Sequence, residues 1–95
     1  MKLAIRVKEI RGNCPVYKEG DTFVIEEGYK LLSDIPLCMH SLSSIMPYYI
    51  PLSRGVSPKS LGLAKKDTHR AYIQCLDPCK YTGGGTVVFE IAIGG

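Results

Sequence analysis

Leu3, Ile5 and Val7 alternate with Lys2, Arg6 and Lys8, the two-residue period of a strand that buries one face. The pattern predicts a strand over residues 3–10. It should end at RGNCP, where Gly12, Asn13 and Pro15 all favour a turn. In YKEGDTFVIEEG a tight turn at Gly20-Asp21 leads into a second short strand, Thr22 to Glu26, closed by Gly28. The simplest arrangement is a hairpin or meander between residues 3–10 and 22–26.

The middle of the chain changes period. Cys38, Leu42, Ile45, Met46 and Tyr49 form one apolar stripe at helical spacing. Asp34 is placed to cap the start, with Pro36 in the first turn, where a missing N–H costs little. Pro47 and Pro51 each remove a donor and crowd the carbonyl four residues back. The expectation is a regular helix over about 36–46, a break at Pro47, and a kinked or tightened continuation ending near Gly55. Residues 53–69 have a loop's composition, with one helical turn near Pro58 to Leu61. RAYIQC (70–75) and TVVFEIAI (86–93) are rich in β-formers and should pair, joined by LDPCKYTGGG. The sum is a single α+β domain, residues 1–95, with one main kinked helix packed on a small, mostly antiparallel sheet of about four strands.

Composition is consistent with that reading. Ninety-five residues supply chain for one core, and 45% apolar with 22% charged residues is an ordinary globular balance. Six tyrosines, two phenylalanines and no tryptophan suggest a partly wet aromatic layer. The net charge of +3 is spread from Lys2 to Lys80, and Lys65-Lys66 is the one adjacent basic pair. That argues against a nucleic-acid-binding face, which concentrates its bases. No apolar run approaches the ~18 residues of a membrane span, and MKLAIRVKEIRG lacks the pattern of a signal peptide. A cytoplasmic setting follows as the default, where thiols stay reduced and structural disulfides are disfavoured.

The chemistry lies in the cysteines. In QCLDPCKYTGGG, Cys75 and Cys79 flank an expected turn at Asp77-Pro78; Cys14 falls in the first turn and Cys38 at the helix start. All four sulfurs could meet at one end of the sheet. There the first-turn N–H groups and positive dipole end of the helix favour a thiolate. Zinc and iron–sulfur sites need several thiolates around one point, so Cys14, Cys38, Cys75 and Cys79 are the candidate ligands, with His40 as a substitute. The spacing is only suggestive: zinc ribbons bring their cysteines in pairs with two residues between them, and this chain has one C-x3-C and two single cysteines. Free cysteine is also among the most buried residues and packs as a small hydrophobe. His69, just before a strand, is a weaker ligand candidate than His40. TGGG runs into a strand rather than a helix and reads as a hairpin bend, not a phosphate loop.

The segments RGNCPVYKEGD, PLCMHSLSSIMPYYIPLSRG and QCLDP followed by VVFEI resemble a family of small prokaryotic proteins of about ninety residues without an assigned activity. The pattern is Cys-Pro followed by Gly-Asp, a helical Cys nine residues before Pro-Tyr, and Cys-x-Asp-Pro before a Phe-Glu strand. Here these are Cys14-Pro15 with Gly20-Asp21, Cys38 with Pro47-Tyr48, and Cys75-Leu76-Asp77-Pro78 with Phe89-Glu90. The resemblance singles out Cys14, Cys38 and Cys75 as a trio and leaves Cys79 and His40 outside it. One departure is Met39, where the family commonly has proline.

The leading expectation is therefore a cytoplasmic metal-binding or redox accessory module, with zinc or an iron–sulfur cluster as its cofactor and no catalytic centre of its own. A thiol-dependent enzyme using Cys75 or Cys38 is the first alternative. A structural or protein-binding domain with inert buried cysteines is the second.

Overall fold

The structure, a computed structural model, describes residues 1–66 and 69–94. The elements are β1 (Leu3–Gly12), β2 (Thr22–Glu26), β3 (Lys30–Leu32), α1 (Met39–Ser53), β4 (Arg70–Gln74), α2 (Cys79–Thr82) and β5 (Gly85–Ile93). Among the described residues the strands form one five-stranded antiparallel sheet in the order β3-β2-β1-β5-β4. The α+β class holds, with one strand more than expected. The added strand is β3, which the chain reaches through Glu27 and Gly28, both at positive φ, as the tight turns of hairpins require.

The alternation in β1 buries Leu3, Ile5 and Val7 against Val87, Phe89 and Ile91 of β5. Between Val7 and Glu9 the pairing with β5 shifts by one residue. This bulge reverses the parity of the strand, so Ile10 rather than Glu9 packs on the core. Residues 70–74 and 85–93 pair as expected, and the Cys75 N–H carries the ladder one residue further, to the Val87 carbonyl at 2.8 Å. One face of the sheet is covered by α1, which lies across β4, β1 and β5. Tyr17, Phe23 and Phe89 pack beneath it with ring centroids 5.6–6.4 Å apart. The opposite face carries the ion pairs of Glu90 with Arg6 and Lys8.

The helix departs from expectation in three ways. It begins at Met39 with Cys38 as its N-cap, so Asp34 and Pro36 lie ahead of it. It then runs as α-helix through Pro47 and Pro51 to Ser53, without the break expected at Pro47. The donor missing at Pro47 would have served the Ser43 carbonyl, and both residues face solvent, where water replaces the lost bond. The buried row is also displaced. Ser41, Ile45 and Leu52 are buried, with Tyr48 half-buried, whereas Met46 is 55% exposed.

The segment after α1 contains the expected turn: the Ser60 and Leu61 N–H groups return to the Ser57 carbonyl. The last part of the 53–69 loop, at 67–68, lies outside the described residues. No helix among the described residues is long and apolar enough to cross a membrane.

Candidate functional site

Cys14, Cys38 and Cys75 line one cleft of about 270 Å³, together with Val16, Tyr17, His40, Ser41, Asp77 and Val87. Three different parts of the fold supply the sulfurs: the loop after β1, the N-cap of α1, and the end of β4.

Glycine brings the first of them in. The β1–β5 pairing ends at Gly12 opposite Gly85, and the Asn13 N–H continues to the Gly84 carbonyl at 3.1 Å. A Cβ on Gly85 would stand 2.6 Å from the Cys14 nitrogen, closer than packed atoms come. Gly12 sits at φ +78°, and a Cβ there would meet the Gly84 carbonyl. These two positions let the 13–17 loop fold over the strand end. Within that loop the Cys14 sulfur accepts the Tyr17 N–H at 3.4 Å.

Cys38 is held from behind. Its N–H donates to the Tyr17 hydroxyl at 2.9 Å, and its carbonyl accepts the Ser41 hydroxyl at 2.7 Å. The Tyr17 and Ser41 oxygens are themselves 2.7 Å apart. Ser41 has one proton, already given to the carbonyl, so Tyr17 is the donor of this third bond. The closed circuit explains why a serine is fully buried on the core face of α1. Cys38 makes no side-chain capping bond, so its sulfur stands at the head of the helix with the cleft beside it.

Cys75 is the most buried of the cysteines, 6% exposed. Its sulfur accepts the Val87 N–H at 3.3 Å and donates to the Gly85 carbonyl at 3.5 Å. It therefore sits between β4 and β5 as a satisfied thiol.

Of the remaining candidates, Cys79 and His69 lie outside this cleft and His40 lines it. Cys79 opens α2 and lines a separate depression with Arg11, Lys80 and Tyr81; Cys75 and Asp77 border both hollows. Asp77-Pro78 does turn the chain as expected, with the Asp77 side chain accepting the Thr82 hydroxyl and its carbonyl the Thr86 hydroxyl. His40 lines the cleft without a hydrogen bond from its ring to a thiol among the described residues. His69 precedes β4, at the opposite end of that strand from Cys75. All four cysteines are unbridged. Among the described residues no set of three or more His, Cys, Asp or Glu side chains is grouped closely enough to hold a metal ion.

Sequence reasoning passes over Tyr17, Ser41 and Gly85. Tyr17 lies in the turn segment CPVYKEGD and Ser41 in the helix, and the bond between them spans 24 residues of sequence, so no local pattern announces it. No protein-family model, curated protein or solved structure matches this chain.

Proposed function

We propose that this protein is a small thiolate-centre module, a metal-binding or redox accessory protein, whose working residues are Cys14, Cys38 and Cys75. The observation that carries the reading is the convergence of three sulfurs from three separate elements on one cleft. Backbone donors surround them. Cys14 and Cys75 each accept an N–H, and Cys38 heads a helix whose first turn lacks a side-chain cap. N–H groups aimed at sulfur stabilise metal-bound thiolates and orient them, and a helix N-terminus favours negative charge. Cys79, in its own depression, and His40, which lines the cleft, are accessory to this centre.

Metal and sulfide analysis of protein purified without oxygen tests the reading, alongside Cys14→Ser, Cys38→Ser, Cys75→Ser and Cys79→Ser. The expected result is metal that copurifies or binds on reconstitution, diminished in the first three variants and retained in the fourth. A protein that takes up no metal, and whose four variants fold equally well, would have no thiolate centre.

A further inference from the structure

The bases that lie scattered along the chain are gathered by the fold, and we infer from this that the open face of the sheet, on its β4 side, binds single-stranded nucleic acid. Arg6 and Lys8 of β1 stand on the same side of the sheet as Glu90 of β5 and Tyr72 of β4, since all three reach the Glu90 carboxylate. Arg70, two residues before Tyr72 on the same strand, shares that face. The Tyr72 N–H donates to the Leu63 carbonyl at 2.9 Å, which lays the 62–66 segment beside β4 and brings the exposed Lys65 and Lys66 to the same tyrosine. Among the described residues of this region, five bases thus stand with one acid, Glu90. The acids gather at the other side of the sheet. Glu19, Asp21, Glu26, Glu27 and Asp34 fall within residues 18–34, where Lys18 and Lys30 are the only bases, and that segment holds β2 and the edge strand β3. Dispersal in sequence, which argues against such a face, is undone by the strand order.

Charge and an aromatic ring are the two parts such a site needs: single-strand binders track the phosphates with basic side chains and stack bases on aromatic rings. Tyr72 is 38% exposed and lines, with Leu63, Lys65 and Lys66, a hollow of about 660 Å³. That lies within the roughly 300–1,000 Å³ of sites that take small organic groups. Its hydroxyl donates to Glu90 at 2.9 Å, which fixes the tip of the ring and engages the one carboxylate on this part of the face. Arg6 and Lys8 approach the same carboxylate at only 3.4 and 3.5 Å, with side chains 49% and 46% exposed. Ion pairs so open hold weakly, so both cations can turn to a phosphate. A duplex would meet the same charges but keeps its bases stacked inside, away from the ring. An anionic lipid surface would use the charges and leave the ring without a partner.

The test uses the full chain with fluorescently end-labelled oligonucleotides of uridine and of thymidine, about twelve nucleotides long. Anisotropy is read between about 50 and 200 mM salt. Binding is expected, with log affinity falling against log salt at a slope of about −2 to −3.5, which is three to five phosphates at about −0.7 each. Tyr72→Ala should weaken it about tenfold through the lost stack, and Tyr72→Phe, which keeps the ring, should bind nearly as the parent does. Lys65→Glu with Lys66→Glu should remove most of the binding. Lys18→Glu with Lys30→Glu makes the same change in net charge on the acidic side and should leave binding nearly intact. Native circular dichroism in each variant separates loss of binding from loss of the fold. No binding at the lowest salt, equal losses in the two lysine pairs, or tighter binding of a matching duplex would overturn the proposal. An unweakened Tyr72→Ala protein would do the same, since no base would then rest on the ring. Capture by vesicles of anionic phospholipid without affinity for the oligonucleotides would also overturn it and make the face a membrane-surface contact.

Discussion

Tyr17 accepts the backbone N–H of Cys38 through its phenolic oxygen at 2.9 Å, across 21 residues of sequence. The bond ties the loop that carries Cys14 to the cap of the helix that carries Cys38, so two of the three sulfurs are registered by one hydroxyl. Tyr17→Phe keeps the ring packing on Phe23 and Phe89 and removes only that oxygen. It leaves the Cys38 N–H without its acceptor and the Ser41 oxygen without its donor. Such a loss costs about 1–3 kcal/mol. Urea unfolding should show it as a lower midpoint at unchanged slope; an unaltered midpoint would mean that water substitutes fully for the hydroxyl.

Two glycines, one at positive φ and one in a crowded position, separate strain from collision. Gly20 sits at φ +93° with open space for 4 Å around the place a Cβ would take, whereas a Cβ on Gly85 would meet the Cys14 nitrogen at 2.6 Å. Gly20→Ala should cost about 1–2 kcal/mol, the left-handed penalty alone. Gly85→Ala should cost clearly more, because the 13–17 loop must lift off the strand, and it should also raise the alkylation rate of Cys14. Equal losses in the two variants would show that the close approach at Gly85 is relieved without moving the loop.

Glu90 gives the open face of the sheet a pH dependence. Partial burial raises its pKa, but the Tyr72 hydroxyl and the charges of Lys8 and Arg6 outweigh that and leave it below its ordinary value. The carboxylate accepts Tyr72 at 2.9 Å and pairs with Lys8 at 3.5 Å and Arg6 at 3.4 Å. A depressed folded-state pKa contributes stability that is present above the unfolded value, roughly 4.3 for glutamate. That contribution fades as pH falls through the lower folded value. Glu90→Gln should therefore be less stable than the parent near neutral pH and approach it below about pH 4. Thermal melts across that range read the difference; parallel curves would assign the acid sensitivity to other carboxylates.

Pro47 is the fourth test. It interrupts the hydrogen bonds of α1 on an exposed face, and proline inside a helix costs up to about 3 kcal/mol relative to alanine. Pro47→Ala restores the donor to the Ser43 carbonyl and should stabilise the protein, by less than that figure because the unfolded chain gains freedom. A destabilised variant would show that the proline ring itself is packed against something the helix needs.

What is legible in the sequence follows from repetition over neighbouring residues. The alternation in β1, the β-rich runs at 70–75 and 86–93 and the mid-chain helix each rest on several positions agreeing, and each is found. β3 is hidden because Lys30, Leu31 and Leu32 are too few to show a period and are all exposed. The bulge stands in plain sight: Lys8 and Glu9 are consecutive polar residues inside an alternating strand, and that doubling is the parity change. The helix face misleads because hydropathy ranks Met46 above Ser41. A buried hydroxyl is permitted only by partners, and one of the two, Tyr17, is 24 residues away in sequence. The positions of the four cysteines along the chain do not separate Cys79 from the rest; in the fold Cys79 opens the short helix α2 and borders the second hollow.

The order of the sheet also sets a timetable. β1 lies at the centre of the sheet and its long partner is β5, the strand farthest from it along the described sequence. Pairings of this sequence separation carry a large loop-closure cost before any reward, which slows folding. Until β5 arrives, Leu3, Ile5 and Val7 have only the short β2 beside them, and Gly85 and Val87 are not yet there to seat Cys14 and Cys75. The cleft is therefore complete only when β5 has docked, since Gly85 and Val87 form part of its wall.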